Sequence, residues 1–296
     1  MKKKIILIDG SSYMYRAFYA LPPLTSPKGE PTGAIYGFYR MISKLISNLN
    51  PEYIAVVFDL PGQTTRHKEF KEYKATRKET PNDLVVQIPK IKKFLQLWGI
   101  PIIEKQGYEA DDIIATLAKK AEKEGFEVIV VSPDKDMIQL IDENIKLLNP
   151  ISETFLDREK VKEKYGIYPE QFEDYLAMIG DNVDNIPGIK GVGAKTAAKL
   201  LNEFGSLDNI LQNKDKLSGK LKEIFYNLDE ESIKMSRYLV KLQTDIDLDI
   251  DIEDLKKKKT DFMGLKNFLE ELGFKTVLKD LDKFAKDDTP KQRSLF

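Results

Sequence analysis

Short runs of consecutive apolar residues recur through the first half of the chain, at Ile5–Ile8, Tyr53–Phe58, Ile100–Ile103 and Val128–Val131. These β-rich runs do not alternate with polar positions. They therefore predict strands buried on both faces, as in a parallel sheet. Between them, apolar residues follow the 3.6-residue period over Gly33–Asn48, Asp83–Trp98 and Asp111–Glu124, which predicts three helices. Gly125 stands at the C-cap position of the third. Strand–helix alternation of this kind predicts a doubly wound α/β layer. From about Tyr165 strand signals thin out, and helical segments with short Gly or Pro breaks take over. The stretch Asp287–Phe296 is polar, contains Pro290 and reads as a tail. The expected organisation is an α/β domain over 1–165, a helical domain over 166–286 and a flexible tail over 287–296. No internal repeat is present.

Composition narrows the chemistry. The chain has no cysteine and one histidine, His67, which excludes disulfide scaffolds, thiolate metal sites and multi-histidine zinc sites. A serine–histidine triad is disfavoured on the same ground, and His67 itself reads as structural. What is left is carboxylates, lysines, arginines and hydroxyls. No apolar run approaches 18 residues, so no membrane span is expected. The basic start MKKK leads into an apolar run that an acid ends after four residues. That is too short for a secretory signal, and a cytoplasmic protein is expected.

In open α/β sheets ligands bind at the carboxyl ends of the strands. Asp9 and Asp59 directly follow two of the predicted strands, and Asp134 and Asp136 follow a third. Glu109, Asp111 and Asp112 open a helix shortly after a fourth. Seven acids from four segments thus converge on one sheet edge, and Asp181 and Asp184, at i and i+3, can point the same way. Each group alone has a plainer explanation as turn, N-cap, helix-dipole or solvated-loop residues. Together they would repel one another without cations, and hard oxygen donors suit Mg²⁺ or Mn²⁺.

Two further stretches carry candidate binding chemistry. Between Gly62 and Pro81, Arg66, Lys68, Lys71, Lys74, Arg77 and Lys78 are interleaved with Phe70 and Tyr73. Basic residues with aromatics suit single-stranded nucleic acid, whereas Glu69 and Glu72 would equally lace a solvated helix. The run Ile186–Thr196 has the form of a helix–hairpin–helix, over about 180–205. Gly191 and Gly193 allow a tight turn, and the helix start that follows can meet a phosphate. Lys195 and Lys199 add charge at i and i+4. Alone, such a turn could be a simple helix connection. Lys256–Lys259 reads as a solvated run, and Trp98 as core.

These stretches make the chain recognisable. DGSSYMYRAF (9–18), GEPTGAIYGF (29–38), RHKEFKEYKATR (66–77), EADD (109–112), DKDM (134–137) and GDNVDNIPGIKGVGAKTA (180–197) resemble the 5′ nuclease domain of bacterial DNA polymerase I, within the flap endonuclease family. The resemblance runs from about residue 3 to residue 285. It implies a PIN-like, Rossmann-like fold: a central, mostly parallel sheet with helices on both faces, followed by a helical part with a helix–hairpin–helix. It maps the family's metal carboxylates onto Asp9, Asp59, Glu109, Asp111, Asp112, Asp134, Asp136, Asp181 and Asp184, every one an acid here. It implies two or more Mg²⁺ ions, replaceable by Mn²⁺, and a K⁺ site at the hairpin. It places a helical arch at about 62–90, with Lys74 and Arg77 at the scissile phosphate and Tyr73 as a base-stacking aromatic. Arg66, Lys68, Gly191, Gly193, Lys195, Thr196 and Lys199 become DNA-binding candidates. The net charge of −1 then takes on meaning: removing nine ligands from 48 acidic residues leaves 39 against 47 basic ones, a surplus of eight for a phosphate-binding surface.

The resemblance implies a metal-dependent, structure-specific 5′–3′ exonuclease and flap endonuclease acting on DNA in replication and repair. A non-catalytic DNA-binding protein of the same fold would be marked by lost carboxylates, and none is lost. A small-molecule phosphohydrolase would need neither arch nor hairpin. The chain has no room for a polymerase, so it is expected to be a stand-alone nuclease or a fragment. Its last residues resemble the peptide by which bacterial replication proteins dock on the sliding clamp. Leu295 and Phe296 would fill an apolar pocket and Gln292 would bond at its edge, although Arg293 stands where leucine is more usual. The plainer alternative is a frayed terminus.

Overall fold

Ile5, Ile6, Leu7 and Ile8 are almost fully buried in strand β1 (Lys4–Asp9) of a computed structural model that describes residues 2–278 and Leu281. The other strands among the described residues are β2 (Tyr53–Val57), β3 (Ile102–Ile103), β4 (Glu127–Val131), β5 (Ile145–Asn149) and β6 (Thr154–Leu156). The first four expected strands are thus present, with β3 shorter than its apolar run. The last strand ends at Leu156 and helices follow, as the thinning of strand signals predicts.

The chain divides into two compact units, each assembled from separated stretches. One comprises Met1–Asp9, Val57–Glu79 and Ile103–Ile252. The other comprises Gly10–Val56, Thr80–Ile102 and the described residues from Glu253 on.

In the first unit β1 pairs parallel with β4, Ile5 opposite Val128 and Ile8 opposite Val131. β4 pairs parallel with β5, and β6 closes antiparallel on β5, Leu147 opposite Leu156. Helix Ala110–Lys123 packs across β1 and β4, burying Ile113, Ile114, Leu117 and Ala118. Asp111 and Asp112 lie in its first turn and Lys120 and Lys123 in its last, both favourable to the helix dipole. Gly125, at φ +85°, takes the left-handed turn that ends it. Helix Phe172–Ile179 packs on helices Ala194–Phe204 and Glu230–Val240.

In the second unit helices Gly10–Ala20 and Gly33–Leu49 meet where a Cβ on Gly37 would lie 2.9 Å from the Cβ of Ala17, so only glycine permits the approach. Tyr39 stacks on Trp98 with ring centroids 5.5 Å apart, and Phe94 and Phe38 complete the aromatic core. Trp98 is a core residue, as expected.

The helix expected over Asp83–Trp98 is two helices, Asn82–Val85 and Ile88–Leu97. Pro89 cannot donate to the carbonyl four residues back, and the buried Gln87 turns at the break. Its amide donates to the Asp83 carbonyl (2.6 Å) and accepts from the Ile35 N–H (3.2 Å). Within the expected arch the only helix before residue 80 is Thr65–Glu69; residues 71–76 form turns. No helix among the described residues is long and apolar enough to cross a membrane. Gln292, Leu295 and Phe296 lie outside the described residues.

Candidate active site

All nine acids singled out in the sequence belong to the first unit. Asp9 is the last residue of β1 and is 3% exposed. Asp59 follows β2 and accepts from the Ala110 N–H at 2.8 Å. Glu109 is the N-cap of helix Ala110–Lys123. Asp134 caps the 3₁₀ turn after β4, accepting from the Asp136 N–H at 2.8 Å. The fully buried Ser132 joins two of these positions: its hydroxyl donates to Asp9 (2.9 Å) and accepts from the Asp134 N–H (3.1 Å). Asp181 and Asp184 sit in the loop after helix Phe172–Ile179. Asp181 exchanges backbone hydrogen bonds with Ile186 (2.9 and 2.7 Å), which makes the loop a closed turn.

The charges sort into two groups. Glu109, Asp112, Asp181 and Asp184 each hold a protein cation. Arg66 grips both oxygens of Asp112 (2.5 and 2.7 Å) and reaches Glu109 at 3.1 Å. Lys74 Nζ lies 2.8 Å from the other Glu109 oxygen, and the Tyr73 hydroxyl donates to Glu109 at 3.1 Å. Arg77 donates to Asp184 (3.0 and 2.6 Å) and Lys135 to Asp181 (2.5 Å). Burial alone would raise the Glu109 carboxyl, yet Lys74 and Arg66 hold it below the ordinary carboxylate range. Asp181 is likewise held down by Lys135 against its own desolvation. Burial alone would lower Lys74, but Glu109 holds it above the usual lysine range.

The second group pushes the other way. Burial raises the Asp111 carboxyl well above its ordinary value, and the nearby Asp134 and Asp9 raise it further. Burial, then Asp134, pushes Asp136 up to about 8, with Asp184 and Asp181 adding to the shift against Lys135. Among the described residues no three Asp, Glu or His side chains are drawn close enough to hold one ion. The donor set itself, all carboxylate and mutually repelling, suits a hard cation such as Mg²⁺ or Mn²⁺.

Those shifts predict a pH dependence. A carboxyl harder to ionise when folded favours folding in acid, a contribution present below 3.8 and lost as pH rises through about 8. Melting temperatures taken in chelator should fall across that window, and Asp136→Asn should flatten the fall. Parallel profiles for the two proteins would contradict the shift.

The structure separates the DNA-binding candidates. Lys68, Gly191, Gly193, Lys195 and Lys199 are exposed, Thr196 is half-buried, and Arg77 keeps half its side chain in solvent. Arg66 and Tyr73, by contrast, are each 3% exposed and turned onto the acids. Arg66 also donates to the Lys241 carbonyl (2.5 Å), while Asp112 accepts from the Gln243 N–H (3.0 Å), so the pair fastens a distant strand of chain onto helix Ala110–Lys123. His67 Nδ1 meets the Thr64 hydroxyl at 2.7 Å at the start of helix Thr65–Glu69, a structural place. Sequence reasoning passed over Ser132 and Lys135. Both lie inside the acidic run after β4, where a polar neighbour of a candidate ligand was the available signal.

Residues 4–166 match the 5′-3′ exonuclease N-terminal resolvase-like domain, and residues 167–263 match the 5′-3′ exonuclease C-terminal SAM fold. The chain belongs to the 5′-3′ exonuclease family. A 5′-3′ exonuclease of Aquifex aeolicus is 48% identical over 294 residues, covering 99% of this chain and 100% of that one. The DNA polymerase I of Caldicellulosiruptor bescii is 41% identical over 286 residues; the match covers 94% of this chain but 33% of the polymerase. The nuclease thus spans about a third of such polymerase relatives. A bacteriophage T5 flap endonuclease in a pseudo-enzyme-product complex with DNA and metal ions superposes with a TM-score of 0.68 at 22% identity, over 92% of this chain and 100% of that one, which shows the shared fold. The nuclease is a phosphodiester hydrolase of PIN-like fold with a helical C-terminal part, as the sequence implies.

Proposed function

We propose that the nuclease cuts DNA at 5′ flaps and 5′ ends with two or more divalent ions, Mg²⁺ with Mn²⁺ as substitute, held by Asp9, Asp59, Glu109, Asp111, Asp112, Asp134, Asp136, Asp181 and Asp184. The observation that supports this reading is the gathering of carboxylates after β1 and β4: the buried Ser132 hydroxyl joins Asp9 to the Asp134 backbone, and Asp134 caps the turn that carries Asp136. Bound divalent ions supply charge for activating water and stabilising the leaving oxygen. The chain's own part is positioning. Lys74 and Arg77, now on Glu109 and Asp184, offer positive charge to the scissile phosphate, where charge builds in the transition state. Tyr73 and Arg66 reach DNA only by leaving Glu109 and Asp112, so their first task is to hold those acids. The Gly191–Thr196 turn and the start of helix Ala194–Phe204 present backbone N–H groups and Lys195 to a duplex phosphate, with K⁺ at the hairpin carbonyls. Docking of Gln292, Leu295 and Phe296 on the sliding clamp, and a cytoplasmic setting, complete the proposal.

The test is a 5′-labelled flap substrate with Mg²⁺ and then with EDTA. Cleavage should occur in the first and stop in the second; no cleavage with any divalent ion would overturn the reading. Lys195→Ala should weaken binding and reduce the salt slope by about one unit, the loss of one phosphate contact. A lower single-turnover rate at saturating enzyme, with the slope unchanged, would remove Lys195 from the grip.

A further inference from the structure

The segment that carries Lys74 and Arg77 is sewn to the loop that carries Asp181 and Asp184. The Lys74 N–H donates to the Asp184 carbonyl (3.1 Å), and the Arg77 guanidinium donates to the Asp184 carboxylate. The Thr76 hydroxyl reaches the Val183 carbonyl (3.5 Å). A further stitch is the side-chain amide of Asn185, which donates to the Glu72 carbonyl at 2.9 Å. That carbonyl also receives the Ala75 N–H, so the amide braces from outside the turn on which Lys74 stands. Lys74 itself is left-handed at φ +55°, a conformation the turn must hold in place.

The loop side of this seam is stiff. The two backbone bonds between Asp181 and Ile186 close it, and Asp181 Oδ1 accepts from the Val183 N–H at 2.7 Å. It continues into the hairpin through Gly188, where a Cβ would lie 2.5 Å from the Gly180 nitrogen. The Ile189 N–H then bonds the Met178 carbonyl at 2.8 Å. These bonds tie loop and hairpin to each other and to the end of helix Phe172–Ile179, and Asn185 lies where they meet the cation-bearing turn.

We infer that Asn185 is a positioning residue, which transmits the placement of the hairpin on duplex DNA to Lys74 and Arg77 at the phosphate to be cut. The inference rests on the proposed flap-cleaving function. The residue type fits the task twice. Asn185 stands at φ +58°, which asparagine tolerates better than most side chains, and its amide donates where an ionised aspartate can only accept.

The experiment uses the full chain, a 5′-flap DNA and Mg²⁺. Asn185→Gly keeps the left-handed backbone and removes the amide; Asn185→Asp keeps the side-chain volume and removes the donor. Each should lower the single-turnover rate at saturating enzyme roughly tenfold, the scale of one lost hydrogen bond, with duplex Kd unchanged. In a Lys74→Ala, Arg77→Ala background the same substitutions should cost nothing further, because Asn185 acts through those side chains. Rates equal to the unsubstituted protein, the same loss in both backgrounds, or weaker binding with an unchanged rate would each overturn the inference. An unsubstituted protein that cuts no flap would overturn the functional reading itself, a result distinct from these.

Discussion

Asp134→Ala is expected to lower single-turnover cleavage by on the order of 10³-fold, because a divalent site contributes several kcal/mol of charge stabilisation and each ~1.4 kcal/mol is a factor of ten. Asp134 is the largest charged neighbour acting on both Asp111 and Asp136, and its carboxylate caps the turn that carries Asp136. Removing it weakens the field that would draw ions in, and loosens the next ligand at the same time. Asp111→Ala should behave alike. Duplex affinity should change little in either variant, since the exposed hairpin residues lie on another segment. Retained turnover in both variants would remove the metal role from these acids; loss of binding in parallel with rate would show that the hairpin is not independent.

The second large effect concerns the fold. Arg66→Ala is expected to cost about 3–5 kcal/mol of unfolding free energy, the usual consequence of removing one partner from a buried ion pair. Asp112 would keep only the Gln243 N–H among the donors described above, in a site 1% exposed. Chemical denaturation reads the loss directly. A change under 1 kcal/mol with a marked drop in DNA affinity would instead make Arg66 a DNA contact.

Much of the frame was legible because burial on both faces leaves an unbroken apolar run. Ile5–Ile8 and Val128–Val131 announced β1 and β4, and the acids after them marked the sheet edge. Helix Gly10–Ala20 was not legible: it begins directly after Asp9, with no loop between strand and helix, and its aromatics blur the period. β5 and β6 are short, half-exposed and carry Lys146 and Thr154 within them, so neither reads as a buried run. The break at Gln87 depends on an amide bonded to a helix 52 residues away. The same limit applies in the site. Nine acids could be named from strand ends, but no local pattern tells that Arg66 faces inward to Asp112 or that Asn185 braces Glu72, since each bond spans more than 40 residues.

The separation of paired segments along the chain also bears on the time at which this nuclease can first act. Ser132 joins Asp9 across 123 residues, and Arg66 reaches Lys241 across 175. Synthesis runs from the amino terminus, and closing such long loops is slow compared with forming local helices. A nascent chain released from the ribosome only as far as Asp184 would therefore carry every acid of the site without the strap at Lys241–Gln243 that holds Asp112 and Arg66 in register. The acids come first, and the part that sets them comes last.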